Sequence, residues 1–418
     1  MIKVLKFGGA SIKNSERIAN VFSIINNFKN QKIIIVFSAI ANVTNLLEDL
    51  VDLYFNNPQQ LKSKLLEIRN IHAQITKELF EKDHQVFIEI DEIFSELDFF
   101  LKTNSNKNLS FVYDQIVSAG ELLSSKILSN YLTNNNFENT LVDARDIIKT
   151  NDKYQNANID WVSTRDKIKS CLVDFPIITQ GFIGSDSSNY TTTFGREGSD
   201  FTAAIIANVL NVSEVTIWKD VDGVLNADPR YFNDFVLLDQ LPYSEAIELA
   251  FYGAKVIHPR TIQPLQEKNI PLIVRSFLNY DNKGTLINND NNNNNKSLFI
   301  PSFIVKENQV LISISDNNLS FIIEEHLSWI FFVLDKYDIR LNLMQNSAVS
   351  FSICIDNKRT SINNLIAELS SRFKVYYNDS VKLFTIRHYN QDSINKVISN
   401  KKILLEQKSR NTVQFVVT

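Results

Sequence analysis

The run KIIIVF, Lys32 to Phe37, constrains this chain more than any other feature. After the lysine it offers no polar face, so a strand built from it has to be buried rather than laid half-exposed on a surface. The segments around it fit that demand. IKVLKF before it reads as a strand, and SERIANVFSIINNF carries apolar residues at Ile18, Val21, Phe22, Ile25 and Phe28, the period of a helix with one buried stripe. Further on, FPIITQGFIG, SEVTIWKDVDGV and NIPLIVRSF repeat the strand pattern with helical stretches between them. Strands alternating with helices predict an α/β fold around a largely parallel sheet, and such sheets bind ligands at the carboxyl ends of their strands.

At 418 residues the chain exceeds what one core normally organises, so two or three domains are expected. A hydrophobic fraction of 44% with 22% charged residues is that of a folded globular chain. The formal net charge of -4, with no long Lys/Arg run, argues against nucleic acid as a main partner. Cys171 and Cys354 stand far apart without CxxC spacing, which fits a reducing cytoplasm and neither a disulfide framework nor a zinc ribbon. MIKVLKFGGAS meets a lysine and two glycines before a signal-peptide core can form, and the longest apolar runs, IIIVFSAIA and WIFFVL, are too short to span a bilayer. A soluble, uncleaved chain without membrane contact is the expectation.

Between Thr44 and about Leu101 the pattern is mostly helical, which suits either a layer over the sheet or a lid over a ligand. NNDNNNNNKS, Asn288 to Ser297, cannot bury enough apolar area to order itself and is expected to be a linker. Beyond it, VLISISD, SFIIEEHLSWIFFVLDKYDI, RLNLMQ and AVSFSICID read as strand, helix, strand, strand, the start of a small α+β sandwich. KLFTIRHY, INKVISN and TVQFVVT read as a second, shorter unit of the same type, a weak tandem repeat. The expected division is therefore 1–287 for the α/β domain, 288–297 for the linker and 298–418 for the tandem region.

Several segments carry chemistry. In KFGGAS, Lys6 to Ser11, adjacent glycines at a strand end let backbone N–H groups approach a ligand, and the lysine adds a compact positive charge suited to phosphate. The lysine precedes the glycines and the GxxxxGK spacing is missing, so this is no Walker A loop; a plain tight turn reads equally well. TTTFGREGSD, Thr191 to Asp200, packs hydroxyls, two glycines and both signs of charge into one loop ahead of the helical DFTAAIIANVL. Arg196 offers a bidentate fork suited to a carboxylate, and Ser199 or Asp200 can cap the helix; a capped helix with surface charges is the plainer account. WKDVDGVLNADPRYF places Lys219, Asp220, Asp222, Asp228 and Arg230 after a buried strand, where the aspartates could face a ligand or cap turns around Gly223 and Pro229. Glu121, between the small residues of SAGELLSS, suits either an ammonium ligand or a solvated surface. The five histidines form no HxxH or HExxH pair, and GxSxG is absent.

KFGGAS, FSAIANVTNLL, SAGELLS, TTTFGREGSD, KDVDGVLNADPR and YGAKVIHP, in this order, closely resemble the signature segments of aspartate kinases in the amino acid kinase family. The resemblance implies a three-layer α/β kinase domain with a mostly parallel central sheet, followed by a pair of ferredoxin-like α+β ACT domains that sense ligands and hold a homodimer. It implies phosphate handling by Lys6, Gly8, Gly9 and Ser11, with Lys6 facing the transferring group. Ser38, Thr44, Glu121, Arg196, Ser199 and Asp200 match substrate positions, and Lys219, Asp220, Asp228, Arg230 and Lys255 match nucleotide positions. The reaction implied is transfer of the γ-phosphoryl of ATP to the side-chain carboxylate of L-aspartate, with Mg²⁺ held mainly by ATP oxygens and no dedicated protein metal site. Departures include Ala10 where many relatives have threonine, Glu197 for a frequent glycine and Lys219 for threonine in some. About 120 residues follow the Asn-rich tract, too few for a fused homoserine dehydrogenase, so a monofunctional kinase is expected. In the ACT region, the loop SDNNLS lacks the usual glycine, and Asn342 stands where lysine-inhibited relatives present an aspartate. The competing readings are a kinase for glutamate, acetylglutamate, carbamate or UMP, and a catalytically silent ACT-based sensor.

Overall fold

KIIIVF forms a strand covered on both sides. The computed structural model describes residues 1–254, 257–289, 300–317 and 320–418. The chain divides into two compact units, the first made of Met1–Val224, Leu237–Ile247 and Val256–Asn292, the second of Leu225–Val236, Glu248–Lys255 and Asn293–Thr418.

The strands of the first unit are β1 (Ile2–Phe7), β2 (Lys32–Phe37), β3 (Thr140–Val142), β4 (Ile177–Gln180), β5 (Ile183–Ser185), β6 (Thr191–Thr193), β7 (Glu214–Lys219), β8 (Gln240–Pro242), β9 (Leu272–Ser276) and β10 (Thr285–Asn288). Eight of them make one sheet in the order β3-β4-β2-β1-β7-β9-β10-β8, and β5 pairs with β6 apart from it. All neighbours run parallel except β9 and β10. The chain runs to one side of β1 through β2, β4 and β3, and to the other through β7 and β9. The order therefore reverses between β1 and β7, the position where open α/β sheets receive ligands.

Alternation along β1 decides which layer each residue meets. Leu5 and Phe7 join a core with Ile33, Ile35 and Phe37 of β2, covered by helices Ser15–Asn26, Val43–Asn56, Leu61–Leu79, Val86–Thr103 and Ala119–Asn134. Residues such as Leu47, Ile68, Ile75, Ile90 and Phe94 are fully or nearly buried in that core, so the 44–101 stretch packs as a helical layer. Val4 and Lys6 face the other way, toward helix Gly198–Leu210. Three layers result.

The second unit holds β11 (Ser302–Ser315), β12 (Leu341–Asn346), β13 (Ser350–Asp356), β14 (Lys374–Arg387), β15 (Ile403–Lys408) and β16 (Thr412–Val417) in one antiparallel sheet ordered β12-β13-β11-β14-β16-β15. β11 and β14 are each 14 residues long and run through both halves of the sheet. One half pairs Gln309–Ser315 with β13, under helices Glu324–Lys336 and Arg359–Leu369; the other pairs Ser302–Lys306 with the Lys382–Arg387 end of β14, beside helix Gln391–Ile398. The two α+β halves are thus nested on shared strands rather than placed in succession. The short second unit read from sequence gains Ser302–Lys306 from far upstream and the strand ILLEQK, whose polar alternation gave it no buried run. Segment Leu225–Val236 also belongs here, with Ala227 and Phe232 in a core with Phe303, Phe384 and Phe415.

Asn288, placed in the linker by sequence, closes β10, where it pairs with Pro242. Most of the Asn-rich tract, Lys255, and Asn318 and Leu319 of the SDNNLS loop lie outside the described residues. No described helix is long and apolar enough to cross a membrane.

Candidate active site

Lys6 is the penultimate residue of β1, and the pleat sends its side chain to the layer occupied by helix Gly198–Leu210. Asp200 sits in the first turn of that helix. Lys6 Nζ lies 2.5 Å from Asp200 Oδ1, and Lys219 Nζ, at the end of β7, lies 3.7 Å from Oδ2. The side chain of Asp200 is 2% exposed, that of Lys6 10% and that of Lys219 20%, so the cluster opens outward from acid to base. Asp200 Oδ1 has no well-aligned hydrogen bond, which makes the contact with Lys6 one of charge rather than of directed bonding. Burial works to raise the Asp200 pKa, but the two ammonium groups outweigh it and hold the carboxyl below its ordinary range. Two cations and one anion leave an excess of positive charge at the switch point of the sheet.

The loops around this cluster approach one another closely. Ser11 Oγ donates to Gly8 O at 2.6 Å and Ala41 N to Gly9 O at 3.2 Å, joining the loops after β1 and β2. A Cβ on Gly9 would stand 2.6 Å from Ala39 O, so only glycine allows this approach. Ser38 donates its N–H to Phe7 O at 3.2 Å and accepts from Ser124 Oγ at 2.7 Å. Glu121, in the first turn of helix Ala119–Asn134, accepts from Ala39 N at 3.2 Å through Oε1, while its buried Oε2 has no hydrogen-bond partner among the described residues. Burial pushes the Glu121 carboxyl up to about 8, against the bond from Ala39 and the charge of Lys6. A buried acid with one oxygen left unbonded suits an incoming cation.

Helix Gly198–Leu210 begins without a side-chain cap, because its N-cap residue is Glu197 in the left-handed region (φ 55°). Gly198 N already donates to Gly195 O at 3.1 Å and Asp200 N to Glu197 O at 3.1 Å, so the N–H of the nearly buried Ser199 is the first-turn donor left for an anion among the described residues. Arg196 is exposed and makes no hydrogen bond or ion pair among the described residues. Thr44 is half-buried in the first turn of helix Val43–Asn56.

The first unit thus contains Lys6, Gly8, Gly9, Ser11, Ser38, Thr44, Glu121, Arg196, Ser199, Asp200 and Lys219, with Asp220 exposed one residue beyond β7. Asp228 and Arg230 fall in the second unit, where Arg230 Nε and Nη2 grip the Asp228 carboxylate at 2.5–3.0 Å. Among the described residues no three His, Cys, Asp or Glu side chains are grouped to hold a metal. Sequence reading missed Asp114, an acid in the apolar run FVYDQIV, and Arg260, which directly follows YGAKVIHP.

A sheet reversing at β1/β7, with lysines on both of those strands facing a buried acid, defines an α/β fold with a cationic site suited to anions. The amino acid kinase family model matches residues 1–276, and the chain belongs to that family. Lysine-sensitive aspartokinase 3 of Escherichia coli (strain K12) is 30% identical over 396 residues, covering 92% of this chain and 86% of the relative. E. coli aspartokinase III, solved in complex with lysine and aspartate, superposes with a TM-score of 0.84 at 29% identity, covering 100% of this chain and 96% of that one. The same enzyme solved with aspartate and ADP gives a TM-score of 0.82 at 28% identity over the same shares.

Proposed function

We propose that this chain transfers the γ-phosphoryl group of ATP to the side-chain carboxylate of L-aspartate, giving 4-phospho-L-aspartate and ADP, the entry step to lysine, threonine and methionine. The observation that carries the reading is the cationic cluster of Lys6 and Lys219 around buried Asp200, set between glycine-rich strand-end loops. A carboxylate oxygen of aspartate attacks the γ-phosphorus, and the bond from phosphorus to the oxygen bridging to the β-phosphate breaks. The nucleophile is already ionised, so no general base is required. Catalysis rests on placement and on offsetting negative charge in the transition state, with Lys6 as the cation nearest the transferring group, kept in position by Asp200. Gly8, Gly9 and Ser11 line the phosphates, and Lys219 with Asp220 serve the nucleotide side; Asp228, Arg230 and Lys255 are assigned there as well.

The amino acid is held by its two ends. Arg196 takes a carboxylate through its fork, Ser199 adds its N–H at the uncapped helix start, and Glu121 receives the ammonium on its open oxygen, with Ser38 and Thr44 at the edge. Mg²⁺ would arrive on the nucleotide: Asp200 is engaged by two ammonium groups, and among the described residues no three His, Cys, Asp or Glu side chains are grouped to hold the ion. When bound, the ion would offset negative charge developing on the transferring group.

For the second unit we assign an ACT-type regulatory role and homodimer formation, with the kinase domain at 1–287 and the regulatory region at 298–418. Exposed Phe331 and Phe332 on helix Glu324–Lys336, and Met344 on the edge strand β12, supply an apolar surface for a second copy. A cytoplasmic setting suits these substrates. A coupled ADP-release assay with aspartate against glutamate tests the assignment. Turnover with aspartate and at least tenfold less with glutamate is expected; equal rates, or none with either, would overturn it.

A further inference from the structure

Among the described residues Arg196 has no side-chain partner, so its placement comes from its backbone, and that backbone is unusual. β6 ends at Thr193, Gly195 takes φ 70°, Glu197 takes φ 55°, and the helix starts at Gly198. Two left-handed residues flank the arginine. Glu197 pays for that conformation without the freedom of glycine.

Two charged side chains of opposite sign hold this segment from either side. Asp114, fully buried in helix Leu109–Val117, accepts from Thr193 N at 2.8 Å, from Thr193 Oγ1 at 2.7 Å, and from Gln155 N at 3.0 and 3.1 Å. Arg260, in the first turn of helix Pro259–Glu267, donates to Phe194 O at 3.0 Å, Ala157 O at 2.8 Å and Asn156 Oδ1 at 3.0 Å. Its guanidinium carbon lies 4.6 Å from the centroid of the Phe201 ring, one turn into the helix that Arg196 precedes. Ala157 N closes the ring of bonds on Thr193 O at 3.0 Å. The acid satisfies the N–H groups, and the base satisfies carbonyls of the same two stretches, 155–157 and 193–194. The backbones are so close that a Cβ on Gly195 would stand 2.9 Å from Gln155 O.

We propose that Asp114 and Arg260 are positioning residues that clasp the turn at 194–198 and so aim Arg196 at the substrate's carboxylate. The inference rests on the assignment of Arg196 to substrate binding. The side-chain hydrogen bonds of Asp114 and Arg260 all go to residues 155–157 and 193–194, on the Arg196 side, so the clasp acts on the amino acid more than on the nucleotide. Only a planar fork reaches two carbonyls, an amide oxygen and an aromatic face at once, so lysine at position 260 cannot substitute.

The test uses Arg260→Met, Arg260→Lys and Asp114→Asn in the full chain, with two readouts. The first is backbone amide exchange of peptides covering 194–199 without substrate; exchange there is expected to rise about tenfold in each folded variant while the central strands stay protected. The second is steady-state kinetics. The aspartate KM is expected to rise about 10–100-fold, the scale on which small misplacements act, with the ATP KM within about twofold of wild type and no rescue by Arg260→Lys. Unchanged exchange at 194–199, or aspartate and ATP KM values that rise in step, would overturn the clasp. Should Arg260→Met fail to fold, Arg260→Lys and Asp114→Asn decide. A wild-type chain that releases no ADP with aspartate defeats the functional assignment, while the exchange measurement still judges the clasp.

Discussion

The two units each contain a lysine-and-carboxylate cluster, and they are built on opposite principles. In the first, two ammonium groups meet one buried carboxylate, beside glycine loops and a helix start that has no side-chain cap. In the second, Lys306 Nζ donates to Asn342 Oδ1 at 2.7 Å, Asn342 Nδ2 donates to Gln309 Oε1 at 2.6 Å and to Asp356 Oδ1 at 2.9 Å, and Gln309 Nε2 donates to Asp356 Oδ1 at 2.9 Å. Lys306 and Asp356 are joined through two amides, and Lys358 adds its charge on the Asp356 side. Burial opposes the charge on Asp356, but these bonds and Lys306 hold its carboxyl below the ordinary range. The network lies where the register of β11 against β14 shifts, between Lys306 and Gln309 and again before Leu311. A cluster with excess charge awaits a ligand; a mutually bonded one stitches a fold.

The largest effect should follow from removing the excess charge. Lys6→Ala is expected to lower kcat by on the order of 10³, as for other cations that act on a transferring phosphoryl group. It also leaves Asp200 facing Lys219 alone, and stripping one partner from a buried pair costs about 3–5 kcal/mol, visible as a lower Tm. ADP release and thermal unfolding measure the two, and a near wild-type kcat would remove Lys6 from the phosphoryl site. Arg196→Lys comes next. A point charge cannot reproduce the fork, so kcat/KM for aspartate should fall about 30-fold or more, within the roughly 2–5 kcal/mol lost when a buried, hydrogen-bonded charge pair is broken. The ATP KM should hold; matching losses for both substrates would mean that Arg196 does not select the amino acid.

The contrast between the clusters was only half legible in the sequence. KIIIVF and its helical neighbours predict the parallel sheet because burial on both faces and the 3.6-residue period are local properties, and KFGGAS falls at a strand end as that pattern requires. What brings Lys6, Asp200 and Lys219 together is the pairing of β1 with β7, a contact across some 210 residues that no local period reveals. The nested halves of the second unit escaped for a similar reason: Ser302–Lys306 and Lys382–Arg387 are neighbours only in the folded sheet. Arg260 and Asp114 carried no motif, since both act on backbone atoms of distant loops.

A smaller effect concerns Glu121, which stands beside the open cluster as an acid with one oxygen unbonded. Its folded pKa, about 8, lies above the unfolded carboxyl value of 4.5. Below the unfolded value both states are protonated and its contribution is fully present. As pH rises the unfolded chain ionises first, so stability falls through the window up to about 8 and then levels off, by at most about 1.4 kcal/mol per pH unit. Glu121→Gln should flatten that part of a denaturation series. Binding of the substrate's ammonium should ionise the acid, so adding aspartate near pH 7 should release up to one proton into a weakly buffered solution. A Glu121→Gln series with the wild-type slope would show that the acid is already ionised in the free chain.

The smallest effect is expected where the closed network stands. Asn342, which the resemblance sets against an aspartate of lysine-inhibited kinases, has its amide already committed to Lys306, Gln309 and Asp356. A neutral amide can accept a hydrogen bond from a ligand's ammonium but cannot offset its charge, and this one accepts from Lys306 instead. Lysine at concentrations up to about 1 mM, which corresponds to roughly 4 kcal/mol of binding, should therefore leave ADP release nearly unchanged. Asn342→Asp sharpens the point: it sets a second carboxylate against Asp356 and adds negative charge to the network, with Lys306 and Lys358 as the cations acting on Asp356. That variant should lose stability at neutral pH and regain it as the added carboxyl is protonated, and it should gain sensitivity to lysine, since the new charge is of the sign an ammonium seeks. Strong inhibition of the wild type well below 1 mM would show that the second unit also holds an open site, and the division between a ligand-seeking and a self-satisfied cluster would fail.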